Sequence, residues 1–410
     1  MRKLKLLLAS LALAVVGGVD SAWAQTWTAS SLSAGSFYLQ SVGNGMLLSY
    51  GHDYGNQATT DWAGLSCTLT KNGENYSIYT GRGTGYLNKG HNGPYVNMGT
   101  ADWTITAVSG LENTYTIHLA SDATYYLHTS DNSTIIQGDA LPETANNHYY
   151  WKLIAKTERE SLASASQANP KDVTYLINNQ NFNIHTNEQA YWKTGSDANW
   201  VDISNNCTVR GGDVSNYCAE VYNNNFDIYQ NLTAPAYGKY KLTCQGFYRA
   251  GGQGTTTTTQ NAEIYANDDH SPILNIISGA STSSGSGYTK EVGSTGTYVP
   301  NGMGNASTVF SAGAYSDNAV ETIITSSTSL KIGLRKTTTI STDWTIFDNV
   351  RLYYLGTCLV NDAVAFTTGS TTTADMWYYY DIPTTDNYEF TSSAAATLTY
   401  TTDGTQLTSG

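Results

Sequence analysis

The chain of 410 residues carries a formal net charge of −13 at pH 7, and only 13% of its residues are charged, against ~25% in an average soluble domain. Because an acidic surface repels phosphate backbones and anionic lipids, nucleic acid and anionic membranes are excluded as expected partners. The chain instead contains 31 tyrosines and 38 glycines among many Asn, Thr and Ser residues. This composition is typical of β-rich extracellular modules.

The first 24 residues have the pattern of a signal peptide. Three basic residues precede an apolar run at 6–16, which is too short to span a bilayer, and an Ala-Trp-Ala cleavage motif ends at Ala24. We therefore expect a mature chain from Gln25 that is secreted or displayed at the cell surface, with the periplasm as an alternative, and that does not insert into a membrane. An uncleaved N-terminal anchor is the competing interpretation.

A pattern recurs about every 39 residues after the cleavage site. Each copy opens on a tyrosine in a strand-like run, has a leucine after a turn, and closes on a short strand. The three leucines are Leu48, Leu87 and Leu127. Because one such unit cannot bury its apolar face alone, we expect three units to close around a shared axis, with these leucines in equivalent buried positions.

Residues 27–155 resemble the ricin-type β-trefoil lectins, which carry a Gln-x-Trp motif near the end of each repeat. Trp103 and Trp151 stand at the tryptophan positions, without the glutamine. The position after the repeat leucine holds Ser49, Asn88 and His128, where the sugar-binding repeats of that family use aspartate. The resemblance implies an N-terminal β-trefoil over 25–155, which is either a lectin or a purely structural trefoil.

The charged segment 156–171 differs from its surroundings and predicts a helical linker, with Thr157 as a candidate N-cap and Asn169-Pro170 as its stop.

Strand patterns return after the linker. The run 173–177 opens them, and 226–232 and 240–249, joined through a turn, predict a β-hairpin. Further strands fit 262–265, 329–335 and 344–355, whereas the Gly/Ser/Thr-rich runs 251–259 and 279–296 predict mobile loops. Together these patterns favour a β-sandwich.

The same region resembles the galactose-binding-like jelly rolls of carbohydrate-binding modules. The resemblance covers 172–356 and rests on the segments 176–182, 226–230, 238–242 and 344–352. It implies a jelly-roll β-sandwich. The tail 357–410 predicts an incomplete β-strand segment, so the whole chain is expected to be an all-β, multi-domain protein of bacterial type.

Five residues are the candidate carbohydrate-binding set. Loop aromatics stack on sugars, and an arginine supplies several fixed donors for hydroxyl groups. The candidates are Tyr191, Trp192, Trp200, Tyr248 and Arg249. Packing of Trp192 in the core is the competing interpretation.

Asp348 shares strand parity with Trp344 and Val350, so it is expected to point into the sandwich. A buried carboxylate needs a cation or several donors. Arg249, a structural calcium ion and backbone donors are the three alternatives. No cofactor is otherwise required.

The chain has five cysteines. In an exported protein, an odd count leaves at least one thiol outside any intramolecular disulfide. Cys207 and Cys218 are close in sequence and form the predicted pair.

No His-Glu-x-x-His, Gly-x-Ser-x-Gly or phosphate-loop motif occurs in the sequence. We therefore expect a non-enzymatic, secreted carbohydrate-binding protein whose partner is a glycan or polysaccharide. Two alternatives stay open: accessory modules of a larger glycoside hydrolase or other hydrolase, and a structural or adhesive surface protein.

Overall fold

The computed structural model describes residues 32, 34–51, 55–81, 85–90, 93–131, 133–184, 200–204, 206–213, 216–324 and 328–356, with short strands at 364–365, 378–379, 399–400 and 408–409. The predicted signal peptide and most of the tail 357–410 lie outside the described residues. Strands dominate the described part, so the chain is all-β. No helix among the described residues is long and apolar enough to cross a membrane.

Residues 35–155 form twelve strands in the described ranges, which we call the barrel unit. The strands are β1 Gly35–Ser41, β2 Leu47–Gly51, β3 Gln57–Asp61, β4 Cys67–Asn72, β5 Asn75–Tyr79, β6 Tyr86–Lys89, β7 Pro94–Asn97, β8 Asp102–Ala107, β9 Thr114–Leu119, β10 Asp122–Ser130, β11 Ser133–Asp139 and β12 Trp151–Ala155, with a 3-10 helix at Asn147–Tyr149.

The first and last strands of each four-stranded repeat close into a ring. β1 pairs with β4, β4 with β5, β5 with β8, β8 with β9, β9 with β12, and β12 returns to β1. The middle strands form the hairpins β2–β3, β6–β7 and β10–β11. Since β3 also pairs with β7 and β11, the three hairpins meet and cover the apolar interior.

The predicted burial of the repeat leucines is confirmed, since Leu48, Leu87 and Leu127 are at most 1% exposed. The carbonyl of each accepts an equivalent hydrogen bond. The Trp103 and Trp151 indoles donate to Leu87 and Leu127, both at 3.0 Å. In the first repeat, the Leu65 N–H donates to Leu48 at 2.8 Å.

The predicted helical linker is helical only over α1, Lys156–Arg159. Its N-cap position is Ala155, without a side-chain capping bond, so the predicted Thr157 cap is wrong. The rest of the segment folds back through a bridge between Ser166 and Asn169.

Arg159 joins the barrel unit to the residues that follow. Its guanidinium donates to the carbonyl oxygens of Trp62 and Asp172, and it lies 5.8 Å from the Tyr38 ring and 5.5 Å from the Tyr175 ring. The linker is therefore packed between the two parts of the chain.

Residues 171–356 form two facing sheets and an insertion, which we call the two-sheet unit. The elements are β13 Lys171–Asp172, a 3-10 helix Thr174–Leu176, β14 Val201–Asp202, β15 Thr208–Asp213, β16 Asn216–Tyr222, β17 Phe226–Thr233, β18 Gly238–Arg249, β19 Glu263–Ala266, β20 Asp269–Pro272, a 3-10 helix Ile276–Gly279, β21 Tyr288–Val292, β22 Thr297–Pro300, α2 Met303–Ser311, β23 Asn318–Ile324, β24 Ser329–Lys336 and β25 Trp344–Tyr354. Two short pairs follow, Val364–Ala365 with Tyr378–Tyr379 and Thr399–Tyr400 with Thr408–Ser409.

The first sheet has the order β15-β16-β25-β18-β23, with β13 beside β25. The second has the order β14-β17-β24-β19-β20. One buried cluster draws side chains from both sheets, including Tyr240 and Phe347 from the first and Ile228 and Leu334 from the second. The sheets therefore pack face to face around a shared core.

Two local predictions in this unit are wrong. The predicted hairpin does not form, because β17 pairs with β14 and β24 whereas β18 pairs with β23 and β25. The turn between them crosses from one sheet to the other. The opening run 173–177 forms a 3-10 helix instead of a strand.

The run 279–296, predicted to be a mobile loop, belongs to an ordered insertion. β21 pairs with β22, and α2 follows. Apolar residues of this insertion, including Val292, Val299 and Phe310, pack with Phe247 and Ile346 of the first sheet in a third cluster. The insertion thus covers the face of that sheet that points away from the second sheet.

The predicted disulfide between Cys207 and Cys218 is wrong, since both are buried thiols. Cys207 packs in the core between the sheets, and Cys218 packs under the insertion. The two thiols therefore belong to clusters on opposite faces of the first sheet.

Replacing Trp103 with Phe tests the indole–carbonyl bonds of the barrel. The buried Leu87 carbonyl would lose its donor, so we expect the free energy of unfolding to fall by about 1–3 kcal/mol in urea denaturation. Trp62→Phe is the control, because Trp62 is 38% exposed and should change stability by less than about 0.5 kcal/mol. Equal effects would contradict the proposed role of the indole.

Candidate functional site

The predicted carbohydrate-binding set does not form one exposed site. Tyr191 and Trp192 lie outside the described residues. Trp200 is fully buried, donates from its indole to the Asn179 carbonyl at 3.0 Å, and has its ring centroid 5.5 Å from that of Phe182. The prediction that Trp200 stacks on a sugar is therefore wrong, because its ring is packed in the apolar core.

Tyr248 is also buried, so its ring presents no face to a ligand. Its hydroxyl donates to Oδ2 of Asp343 at 3.1 Å and accepts from the Asn261 amide at 3.1 Å. Tyr248 therefore belongs to an internal polar network.

Arg249 is only 5% exposed. Its guanidinium lies 5.1 Å from the Trp344 ring and donates to the carbonyls of Gly251 at 2.8 Å and Thr342 at 3.3 Å. Burial lowers the pKa of this guanidinium. Its donors hold the two loops at this end of the unit, so its assignment to a sugar is wrong.

Asp348 is buried as predicted, but strict strand parity is broken beside it. Thr243 pairs with Arg351 and Gln245 with Asp348, so two steps along β18 match three along β25. Asn349 takes up the extra residue with a φ of 48°. Consequently β25 packs Trp344 and Ile346 under the insertion, but Val350 and Leu352 in the core between the sheets.

One donor to Asp348 comes from its own strand. The Asp348 Oδ1 accepts the Asn349 N–H at 2.7 Å. Burial is the main cause that raises the pKa of the Cys218 and Cys244 thiols, and the negative charge of Asp348 raises both pKa values further. Calcium prefers six to eight oxygen ligands. The described residues contain no group of three or more His, Cys, Asp or Glu side chains able to hold a metal.

A cleft of about 710 Å³ opens on the barrel unit where the second repeat meets the third. It lies between the end of β6, the start of β8 and the end of β9. Its lining is mostly small or polar: Asn88, Lys89, Gly90, Thr100, Ala101, Asp102, Leu119, Ala120 and Ser121. This volume is in the usual range for sites that bind small ligands.

Internal bonds fix the polar groups of the cleft. Asp102 accepts from the Asn72 amide at 2.8 Å, and the Asn88 amide donates to Asn97 at 3.2 Å. The Asp102 carbonyl accepts the Ala120 N–H at 2.8 Å. This hydrogen bond connects the start of β8 to the end of β9, which form two walls of the cleft. Each carboxylate or amide keeps further hydrogen-bonding capacity for a ligand.

A cation–aromatic pair stands at the rim. Lys89 Nζ lies 3.1 Å from Oδ2 of Asp122 and 4.5 Å from the centre of the Tyr125 ring. Hydrogen bonds from Thr124, and next from Lys89, lower the pKa of Asp122 to about 2. The ammonium charge is thus already neutralised by a carboxylate, while Asp102 adds a negative charge to the lining.

No predicted site residue lines this cleft. A signal was present, since Asn88 occupies the position where the sugar-binding repeats of the resembled family carry aspartate. The other walls come from residues of adjacent repeats, and their proximity depends on the ring closure.

No protein-family model matches the chain, and no curated protein matches it either. Among solved structures, a ricin B-like lectin from Macrolepiota procera in complex with lactose is 15% identical, with a TM-score of 0.25; the match covers 30% of this chain and 98% of the lectin. TmCBM61 in complex with β-1,4-galactotriose is 10% identical, with a TM-score of 0.20; the match covers 44% and 97%.

Cry35Ab1 is 11% identical with a TM-score of 0.25, and the match covers 78% of this chain and 89% of that protein. With TM-scores this low, none of these likenesses assigns the chain to a family or gives it a ligand.

Replacing Trp200 with Ala tests its place in the core. The loss of a fully buried ring should lower the free energy of unfolding by about 3–5 kcal/mol, measured by denaturant titration. Ile203→Ala is the nearby control, because Ile203 is 65% exposed and should have an effect below about 0.5 kcal/mol. A stable Trp200→Ala protein would show that the ring is not part of the core.

The calcium hypothesis is tested by chelation of the purified mature chain. Because the described residues contain no group of three or more His, Cys, Asp or Glu side chains able to hold a metal, we expect EDTA to leave the Tm unchanged. A Tm that fell with EDTA and returned with added calcium, but not in Asp348→Asn, would establish the ion site instead.

Proposed function

We propose that the chain is a non-catalytic, exported glycan-binding protein whose barrel cleft binds a neutral sugar. In this proposal the barrel unit is a β-trefoil over 25–155 and the two-sheet unit a jelly roll over 172–356, following a cleaved signal peptide. The observation that carries the proposal is the cleft between the second and third repeats, with its small and polar lining.

The lining suits a hydroxylated ligand. Asn88 and Ser121 offer both donors and acceptors, Asp102 offers acceptors, and Ala101 and Ala120 add small apolar groups beside them. Sugar hydroxyls act as donors and acceptors at once, so fixed groups of both kinds can bind them.

The charges favour a neutral sugar over an acidic one. Lys89 is paired with Asp122, and Asp102 leaves the cleft with a net negative charge. The chain as a whole is also acidic. A sialylated or sulfated glycan would therefore be repelled.

Filling the cleft tests the proposal. Ser121 is an exposed turn residue on the lining, and Ser121→Trp should lower affinity for a glycan at least about tenfold while the Tm stays nearly constant. Ser109→Trp is the matched control, because Ser109 is also an exposed turn serine but lies outside the cleft. The measurement is an array of neutral and sialylated glycans, followed by calorimetry on the best neutral binder.

Equal binding by both variants would move the site out of this cleft. Binding by neither variant nor the parent chain would instead favour the structural or adhesive alternative. Release of reducing sugar from a bound polysaccharide would favour the hydrolase alternative.

A further inference from the structure

A lysine and an aspartate meet inside the two-sheet unit, remote from the cleft. Lys336 is the last residue of β24 in the second sheet, and Asp343 directly precedes β25 in the first. Lys336 Nζ contacts Asp343 Oδ2, and both side chains have 0% exposure. The pair therefore connects the two sheets at a point that solvent does not reach.

Polar partners are arranged around one oxygen of this pair. The Tyr248 hydroxyl donates to the same Oδ2 at 3.1 Å, and the Asn261 amide holds that hydroxyl at 3.1 Å. Lys336 Nζ also lies 5.8 Å from the centre of the Tyr248 ring. The other oxygen, Oδ1, is buried without a hydrogen-bond partner in the described part of the chain.

The burial of these two charges is energetically unfavourable. Taking an ammonium and a carboxylate out of water is unfavourable, and the attraction between them offsets the lost hydration only when the remaining lone pairs are satisfied. Here Oδ1 is not satisfied. A neutral product that kept the two side chains in contact would remove the charges and leave Oδ1 as an amide carbonyl oxygen.

We propose that Lys336 and Asp343 condense into an intramolecular amide that cross-links the two sheets. The reacting forms are the Lys336 amine and the Asp343 carboxylic acid, which differ from the ion pair by one proton transfer between the two groups. The Lys336 Nζ lone pair then attacks Cγ of Asp343. The Cγ–Oδ2 bond breaks, Oδ2 leaves as water with the acid proton and one amine proton, and the Nζ–Cγ amide bond remains.

Tyr248 assists this step as a catalytic donor, because its hydroxyl touches the departing oxygen. Burial, as the main cause, raises the pKa of Tyr248 to about 12. The phenol therefore keeps its proton and polarises the carboxyl group. The reaction as written needs no oxidant, metal or second substrate.

The cross-link would close residues 336–343 into a ring. This loop is already held in place, since the Asp343 carbonyl accepts the Asn223 N–H at 3.1 Å and the Thr342 carbonyl accepts from Arg249. The reacting groups are therefore positioned before any bond forms, which is the condition for an efficient intramolecular reaction.

Mass spectrometry of the full mature chain tests the proposal. The intact mass should be lower than the sequence mass by one water. After denaturation, trypsin should cleave at Arg335 but not at Lys336, giving a dehydrated peptide 336–351 without fragment ions between 336 and 343. Cleavage after Lys336 with no loss of water would overturn the proposal. Dehydration through a succinimide at Asp348 would be distinguished by normal cleavage at Lys336.

Two variants and an internal control complete the test. Lys336→Met should have the full sequence mass. Asp343→Asn should form the same amide by losing ammonia, so its linked product should match the wild-type linked mass, and absence of that product would contradict the mechanism. The ion pair of Lys239 with Glu321, at 2.8 Å with 15% and 35% exposure, is the control and should remain unlinked. Tyr248→Phe should lower the linked fraction in freshly purified protein.

Discussion

Closure of strand edges is the constraint on which the architecture depends. A repeat of four short strands leaves unpaired N–H and C=O groups at both edges and cannot bury its apolar side chains. The pairing of β12 with β1 solves this for all three repeats at once. The hairpins then share one interior, and the Leu87 and Leu127 carbonyls receive indole donors there. The cleft follows from the same closure, since its walls come from consecutive repeats.

The two-sheet unit depends on a different constraint, the need to cover apolar faces of its sheets. Its first sheet is apolar on both faces, so one face packs on the second sheet and the other needs a cover. The insertion of β21, β22 and α2 supplies it, with Phe310 and Tyr315 packed around Phe247. At the end of β18, Tyr248 is buried in the core between the sheets, whereas Arg249 lies over the ring of Trp344, which packs under the insertion. Their polar atoms bond to groups of the same unit, as the contacts with Asp343, Asn261 and Thr342 show.

Sequence periodicity predicted the strands well where one face is apolar and the other polar. The burial of Leu48, Leu87 and Leu127 and the strand over 226–232 are of this kind. Periodicity did not predict which strands pair where the partners are distant in sequence. β17 and β18 are adjacent in sequence, yet each finds its partners on β24 and β25, about a hundred residues away. The predicted sugar-binding set was wrong for a related reason. The sequence around a tryptophan such as Trp200 does not show whether its ring is exposed in a loop or packed in a core. The cleft depends on contacts between repeats that no single motif encodes.

The bulge at Asn349 has a consequence for how the gene can change. It lets one strand place Trp344 and Ile346 under the insertion and Val350 and Leu352 in the core between the sheets. Substitutions at this position retain the residue count and need only accept a positive φ, which glycine does readily. A one-codon deletion at Asn349 would remove the extra residue, so strict alternation would return with Trp344 and Val350 still on their present faces. A one-codon deletion elsewhere in β25, away from the bulge, would instead send the apolar residues on one side of it to the wrong face. Within β25, the bulge should therefore be the place that best tolerates the loss of one residue, whereas the rest of the strand should keep its length.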